Sequence, residues 1–193
     1  MSNISVLSIT SDFFKPTSCK PVSCTNAVTT IDTMANDYSV DKGIAVVFSQ
    51  KYQGKSAQTV SSFEKGDLVT KLSGPCLNSP TRFTLQISET EHIDPHCILK
   101  YTNHSCNPNT RCKITDEGFW LEAICDIAAG EYITFDYQSN EYDMASSFDC
   151  RCGESNCTKF IRGFKYLPYD LQVKKYPFCS PHIQRLFMKN HDQ

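Results

Sequence analysis

The chain has 193 residues, 40% of them hydrophobic and 21% charged, which suits one globular domain around a single core, or one domain with a small appendage. Its 19 basic and 21 acidic side chains give a formal net charge of −2, which disfavours a general phosphate-binding surface while leaving room for a local charged groove. No stretch approaches the roughly 18 apolar residues of a membrane span, Met1 to Thr10 lacks the basic start and apolar run of an export signal, and eleven cysteines without such a signal point to a reducing intracellular compartment, cytoplasmic or nuclear.

Residues 1–38 are rich in Ser, Thr, Asn and Asp and read as a loosely structured lead-in, with Cys19 and Cys24 as unpaired thiols. From Gly43 the pattern changes to short strands broken by turns. Gly43 to Phe48 is an apolar, β-branched run, and the turn-like Phe63-Glu64-Lys65-Gly66-Asp67 leads into a strand over Leu68 to Leu72. Arg82 to Ile87 alternates apolar and polar residues, as a half-buried strand does. Phe119 to Cys125 and Tyr132 to Phe135 are further strands, with Ala128-Ala129-Gly130 as the turn between them. Ser180 and Pro181 then form the cap and first turn of a helix over His182 to Lys189. The pattern predicts a mostly β fold with small helices and long connections.

Two segments carry chemistry. Cys150-Arg151-Cys152-Gly153-Glu154-Ser155-Asn156-Cys157 is a C-x-C-x4-C array, and three thiolates this close can share one tetrahedral Zn²⁺ at about 2.3 Å per bond. A structural zinc site wants a fourth ligand. Asn103-His104-Ser105-Cys106-Asn107-Pro108-Asn109 packs polar, turn-forming residues between strand candidates, and Cys106 there can supply the missing thiolate. A lone histidine such as His104 is more often structural than catalytic, and zinc alone says nothing of a reaction.

In order along the chain, Asn103 to Asn109, then Gly130-Glu131-Tyr132-Ile133-Thr134-Phe135-Asp136-Tyr137, then Cys150 to Cys157 with Arg162-Gly163-Phe164, resemble the SET domain and its post-SET zinc extension. Weaker likeness reaches upstream to Lys42–Phe48 and Glu64–Val69, so that the resemblance covers residues 40–167. It implies small curled β-sheets with a pseudoknot-like crossing, an exception to the rule of unthreaded connections. It divides the chain into a SET domain at 39–145, a post-SET zinc motif at 146–167 and a C-terminal helical extension at 168–193. The implied activity is methyl transfer from S-adenosylmethionine to lysine in a protein or peptide, with di- or trimethylation within reach. No nucleic-acid or membrane partner is expected.

The resemblance also assigns residues. Tyr137 orients the reacting amine and Phe135 sets how many methyl groups fit. Lys42, Gly43, Ile44, Ala45, Lys100, Asn103, His104, Tyr137 and Phe148 contact the cofactor, with Phe148 over the adenine. Cys106, Cys150, Cys152 and Cys157 bind zinc. Relatives commonly carry Gly-x-Gly at the cofactor loop, where Gly43 is here followed by Ala45, and arginine at the position of Lys100. The rival readings are a catalytically silent SET fold that binds a peptide or partner, and a zinc-dependent nucleic-acid binder. A degenerate member would be expected to lose Tyr137, Asn103 or His104, and all three are present.

Overall fold

The structure, a computed structural model, describes residues 43–191. The lead-in with Cys19 and Cys24, and Lys42, lie outside the described residues. β1 (Ile44–Ser49) and β2 (Gly54–Thr59) form an antiparallel hairpin in which Ile44 faces Thr59 and Ser49 faces Gly54. Gly43 starts it at φ +90°, where a Cβ would sit 2.1 Å from Ser61 Oγ, so no other residue fits without movement.

The central sheet has the strand order β3-β9-β8-β10-β7, built from β3 (Leu68–Lys71), β7 (Asn103–His104), β8 (Thr110–Thr115), β9 (Gly118–Ala123) and β10 (Thr134–Phe135). β8 and β9 are a tight hairpin with Thr115 opposite Gly118. β10, late in the chain, enters between β7 and β8 and runs parallel to both. That insertion is the crossing that the resemblance implies. A smaller sheet orders β4 (Cys76–Leu77), β6 (His92–Ile93) and β5 (Leu85–Gln86) with β6 in the middle. β11 (Phe148–Asp149) pairs with β12 (Phe160–Ile161).

Two helices follow, α1 (Tyr169–Lys175) and α2 (Pro181–His191). The fold is mostly β, as expected, and α2 starts at the predicted Pro181. The strand expected over Arg82 to Ile87 is cut to Leu85–Gln86. Thr81 and Thr84 explain the cut. The Thr81 N–H donates to Thr84 Oγ1 at 2.8 Å and the Phe83 N–H to Thr81 Oγ1 at 3.2 Å, so side-chain oxygens hold the backbone in a turn that competes with strand pairing.

The main core gathers Ile44 and Ala57 of the first hairpin, Leu121 of the central sheet, and Ile127 and Ile133 of the loop before β10, each at most 1% exposed. A second core of Phe164, Leu167, Cys179, Ile183 and Phe187 packs α1 and α2 against the segment after β12. The site lies between the two.

Candidate active site and cysteine centre

The parallel register of β7 and β10 puts Asn103 beside Thr134 and His104 beside Phe135, so residues 31 apart in sequence become neighbours. Asn109, closing the Asn-Pro-Asn turn, holds them there. Its Oδ1 accepts from the Thr134 N–H at 2.9 Å and its Nδ2 donates to the Tyr132 carbonyl at 2.9 Å. His104 Nδ1 accepts the Tyr137 N–H at 3.1 Å, which leaves Nε2 to donate toward Cys106 Sγ at 3.3 Å. Burial pushes the His104 imidazole down to about 4, further than Asp136 raises it, so the ring is neutral at pH 7 and serves as a bridge.

A cavity of about 770 Å³ opens beside this junction, within the size range of small-molecule sites. Lys100, Asn103, His104, Phe135, Tyr137 and Phe148, all chosen from the sequence, line it. The Phe135 and Tyr137 rings lie 4.7 Å apart, and Phe148 stands edge-on to His104 at 5.9 Å and to Tyr137 at 6.0 Å. The Tyr137 hydroxyl donates to the Thr102 carbonyl at 2.8 Å. Burial pushes that hydroxyl well above the ordinary tyrosine range, so it stays protonated and its oxygen can still accept. Lys100 is occupied by Asp94, 3.6 Å away, which limits it as a partner for a ligand carboxylate.

The described residues of the loop expected at Lys42 to Ala45 stand away from this cavity. Gly43, Ile44 and Ala45 are not among the residues lining the cavity, and Ile44 is fully buried in the core. Lys51, Tyr52, Gln53, Gly54 and Lys55 form that wall instead. Gly43 and Gly54 stand at opposite ends of one hairpin, and six residues at about 3.3 Å each separate them by roughly 20 Å. A Cβ on Gly54 would meet nothing nearer than the Tyr52 carbonyl at 3.9 Å, so its absence keeps space open at the cavity wall. Asn103 joins the same wall through Nδ2, which donates to Ser56 Oγ at 2.7 Å. The available signal was a glycine leading a polar strand, Gly-Lys-Ser-Ala-Gln-Thr, whose lack of apolar alternation hid β2.

The sulfurs of Cys106, Cys150, Cys152 and Cys157 all lie within 4.8 Å of one another. Tetrahedral bonds of about 2.3 Å need sulfurs about 3.8 Å apart, so the set fits one soft divalent ion such as Zn²⁺ after a slight contraction. The Asn156 amide donates to the Cys106 carbonyl at 2.9 Å and so ties the array to the Asn-His-Ser-Cys turn. Burial pushes the Cys106 thiol up to about 11; at Cys152 burial is outweighed by hydrogen bonds, the Cys106 amide first, and the thiol is lowered. Metal binding at such a centre displaces protons.

A family model described as the SET domain matches residues 34–138, more than half of the chain. The chain belongs to the SET domain family. Similar curated proteins include the methyltransferase flvH of Aspergillus flavus, 27% identical over 68% of this chain and 73% of its own length. A histone-lysine N-methyltransferase of Chaetomium globosum, H3 lysine-36 specific, is 26% identical over 72% of this chain and 19% of its own length. The histone-lysine N-methyltransferase set9 of Schizosaccharomyces pombe is 33% identical over 42% of this chain, again 19% of its own length. The chain therefore spans most of the first relative and about a fifth of each of the other two.

The SET core has a support that sequence reasoning did not assign. Lys175, at the end of α1, makes an ion pair with Asp136, which sits between Phe135 and Tyr137. The Ser180 N–H donates to the Ser139 carbonyl at 2.9 Å, and the Ser180 hydroxyl bonds the Asn140 side chain. His182 Nε2 reaches the Asn140 carbonyl at 2.8 Å. Three residues of the C-terminal segment thus grip the chain around Tyr137, Lys175 just before it and Ser180 and His182 just after. A sequence pattern shows the α2 cap but not what it docks on.

Proposed function

We propose that this SET protein transfers methyl groups from S-adenosylmethionine to the side-chain amine of lysine in a protein or peptide, and that Cys106, Cys150, Cys152 and Cys157 hold one Zn²⁺. The observation that carries this reading is the parallel pairing of Asn103–His104 with Thr134–Phe135, which sets Tyr137 at the wall of a ligand-sized cavity beside a four-cysteine centre. When bound, the cofactor supplies an electrophilic methyl group on a sulfonium. The rest falls to the chain.

A lysine ammonium with pKa near 10.4 costs about 4.6 kcal/mol to deprotonate at pH 7, and only the neutral amine can accept a methyl group. The rings of Phe135, Tyr137 and Phe148 exclude water around it, which lowers its pKa. The Tyr137 hydroxyl proton is engaged by Thr102, so the oxygen presents lone pairs that can receive an amine N–H and fix the direction of attack. Phe135 offers no hydroxyl there, which leaves room for di- or trimethylation. Asn103 and Gly54 serve the cofactor end, and Phe148 covers it. In this reading residues 39–145 are the SET unit, 146–167 the zinc-bound post-SET motif and 168–193 an extension that braces it.

The test is transfer of label from S-adenosylmethionine by the purified chain, with histone H3, nucleosomes and cell extract offered as substrates. Histone H3 is included because a relative's name specifies its lysine 36. Label on a protein band, lost when the target lysine becomes arginine, is the expected result. No transfer to any fraction, with no binding of S-adenosylhomocysteine by calorimetry, overturns the reading.

A further inference from the structure

Three carboxylates are equally deep among the described residues. Glu122, Asp136 and Glu141 are each 6% exposed. Glu122 is paired with Arg111 at 2.7 Å and with Lys113, and Asp136 with Lys175. Glu141 pairs with no Lys, Arg or His among the described residues. A buried carboxylate without a cation is costly, so its retention asks for a reason.

Glu141 is also the only one of the three that lines the cavity, in company with Phe135 and Tyr137. Its backbone N–H donates to the Tyr137 carbonyl at 2.8 Å, so it stands one turn beyond the tyrosine. Its Oε1 accepts the Gln86 N–H at 2.7 Å and the Asn140 amide at 3.3 Å. Among the described residues Oε2 takes no hydrogen bond, yet it is not among the polar atoms sealed from solvent without a partner. One oxygen is anchored and the other is left for a visitor. We propose that Glu141 is the counter-charge that draws in the ammonium of the incoming substrate lysine, a recognition step that precedes loss of the proton, which the aromatic rings and the cofactor's sulfonium then favour.

The proposal rests on the lysine-methyltransferase reading and adds to it a named recognition group. Exposed Lys51, Lys55, Arg82 and Arg151 line the same cavity against the one exposed carboxylate of Asp149, and their excess would repel a cation at its mouth. Glu141 offsets that repulsion inside, where the low dielectric makes one carboxylate count for more. Burial pushes its carboxyl up to about 7, the behaviour of a buried acid with no cation beside it among the described residues, while at Glu122 burial is outweighed by Lys113 and Arg111.

The experiment uses the full chain, zinc-loaded, with S-adenosylhomocysteine bound. Two nonapeptide libraries, identical except for a fixed central lysine or norleucine, are compared for binding by fluorescence anisotropy. The wild type should prefer the lysine library by about tenfold, the worth of a charge-assisted hydrogen bond. Glu141→Gln should bring the ratio close to one. The amide oxygen can still accept from Gln86, and loss of an unpaired buried charge should leave the melting temperature equal or higher. A variant that keeps the lysine preference overturns the proposal, as does a wild type without one. A fall in melting temperature with the preference intact makes Glu141 a structural acceptor. A tenfold fall in S-adenosylhomocysteine affinity instead assigns Glu141 to the cofactor's own amine, and that also overturns it. A wild type blind to S-adenosylhomocysteine fails the methyltransferase reading itself, a result distinct from all of these.

Discussion

The turn that follows Tyr137 is held from two sides by different physics. On one side stands the cysteine centre, with a core of only Cys106, Cys152 and Ile161 and the two-residue strands β11 and β12. On the other, α1 and α2 bring an apolar core in which Phe187 meets the rings of Tyr169 at 6.0 Å and Tyr176 at 5.2 Å, together with the Lys175–Asp136 pair. The first flank buries little apolar surface, and in the proposed reading a bound Zn²⁺ orders it. The second is an ordinary core whose stability follows area and hydrogen bonds. A chelator and a core mutation should therefore loosen the same site by separate routes.

The largest effect is expected on the first flank. Cys152→Ser should remove close to all of about one zinc per chain by metal analysis and lower the melting temperature by roughly 10 °C, the equivalent of several kcal/mol for a chain of this size. Chelation should reproduce it and weaken cofactor binding, while α1 and α2 keep their amide-exchange protection. Full zinc retained in the variant would break the assignment of the centre.

Lys175→Met tests the second flank. It strands Asp136 in the interior, which costs about 3–5 kcal/mol. Urea unfolding should show this with zinc content unchanged, and Lys175→Arg should recover most of it. A loss of zinc on this substitution would mean that the two flanks are one cooperative unit.

Between the flanks, Tyr137→Phe should lower kcat by about 10²–10³-fold, the usual worth of one aimed polar group in a transition state, with little change in S-adenosylhomocysteine affinity. Calorimetry beside single-turnover kinetics separates the two. Equal turnover would reduce Tyr137 to packing.

A pH series sharpens the account of Glu141. Its carboxyl is raised from 4.5 to about 7 by burial, against which its hydrogen bonds from Gln86 and Asn140 work. A raised folded value means that the native state holds the proton longer, so this stability is fully present below pH 4.5 and lost as pH rises through 7. The stability of wild type minus that of Glu141→Gln should fall across that window. A difference flat with pH would show the carboxyl to be normal.

The smallest effect is expected at Phe135. Phe135→Tyr adds a hydroxyl that can hold a water beside the amine, at about 1 kcal/mol for one hydrogen bond. Mass spectrometry of a time course should show product shifted several-fold toward monomethyl-lysine. An unchanged distribution would make Phe135 plain core, consistent with its 4% exposure alone.

Much of the site was legible because it lies in short runs. The Asn103 to Asn109 turn, Phe135 to Tyr137 and the cysteine array each carry their chemistry within eight residues, and side-chain type is enough to find them. Strands with β-branched or alternating apolar residues, such as β1 and β9, were legible for the same reason. β2 was not, since Gly-Lys-Ser-Ala-Gln-Thr shows no alternation and is held by its register to β1. α1 was also missed. It is seven residues long and begins after Pro168 without a side-chain cap, and tertiary packing stabilises it.

Residue identity by itself determined the four thiols, the aromatic pair and the family to which the chain belongs. The tertiary structure set two glycines apart, because hairpin register puts Gly54 at the cavity wall and leaves Gly43 at the far end. It alone decided which buried acids have partners: Asp136 meets a lysine 39 residues away, while Glu141 faces the cavity with none among the described residues. Charge pairing acts through space at a few ångströms, and no local pattern in a sequence records that distance.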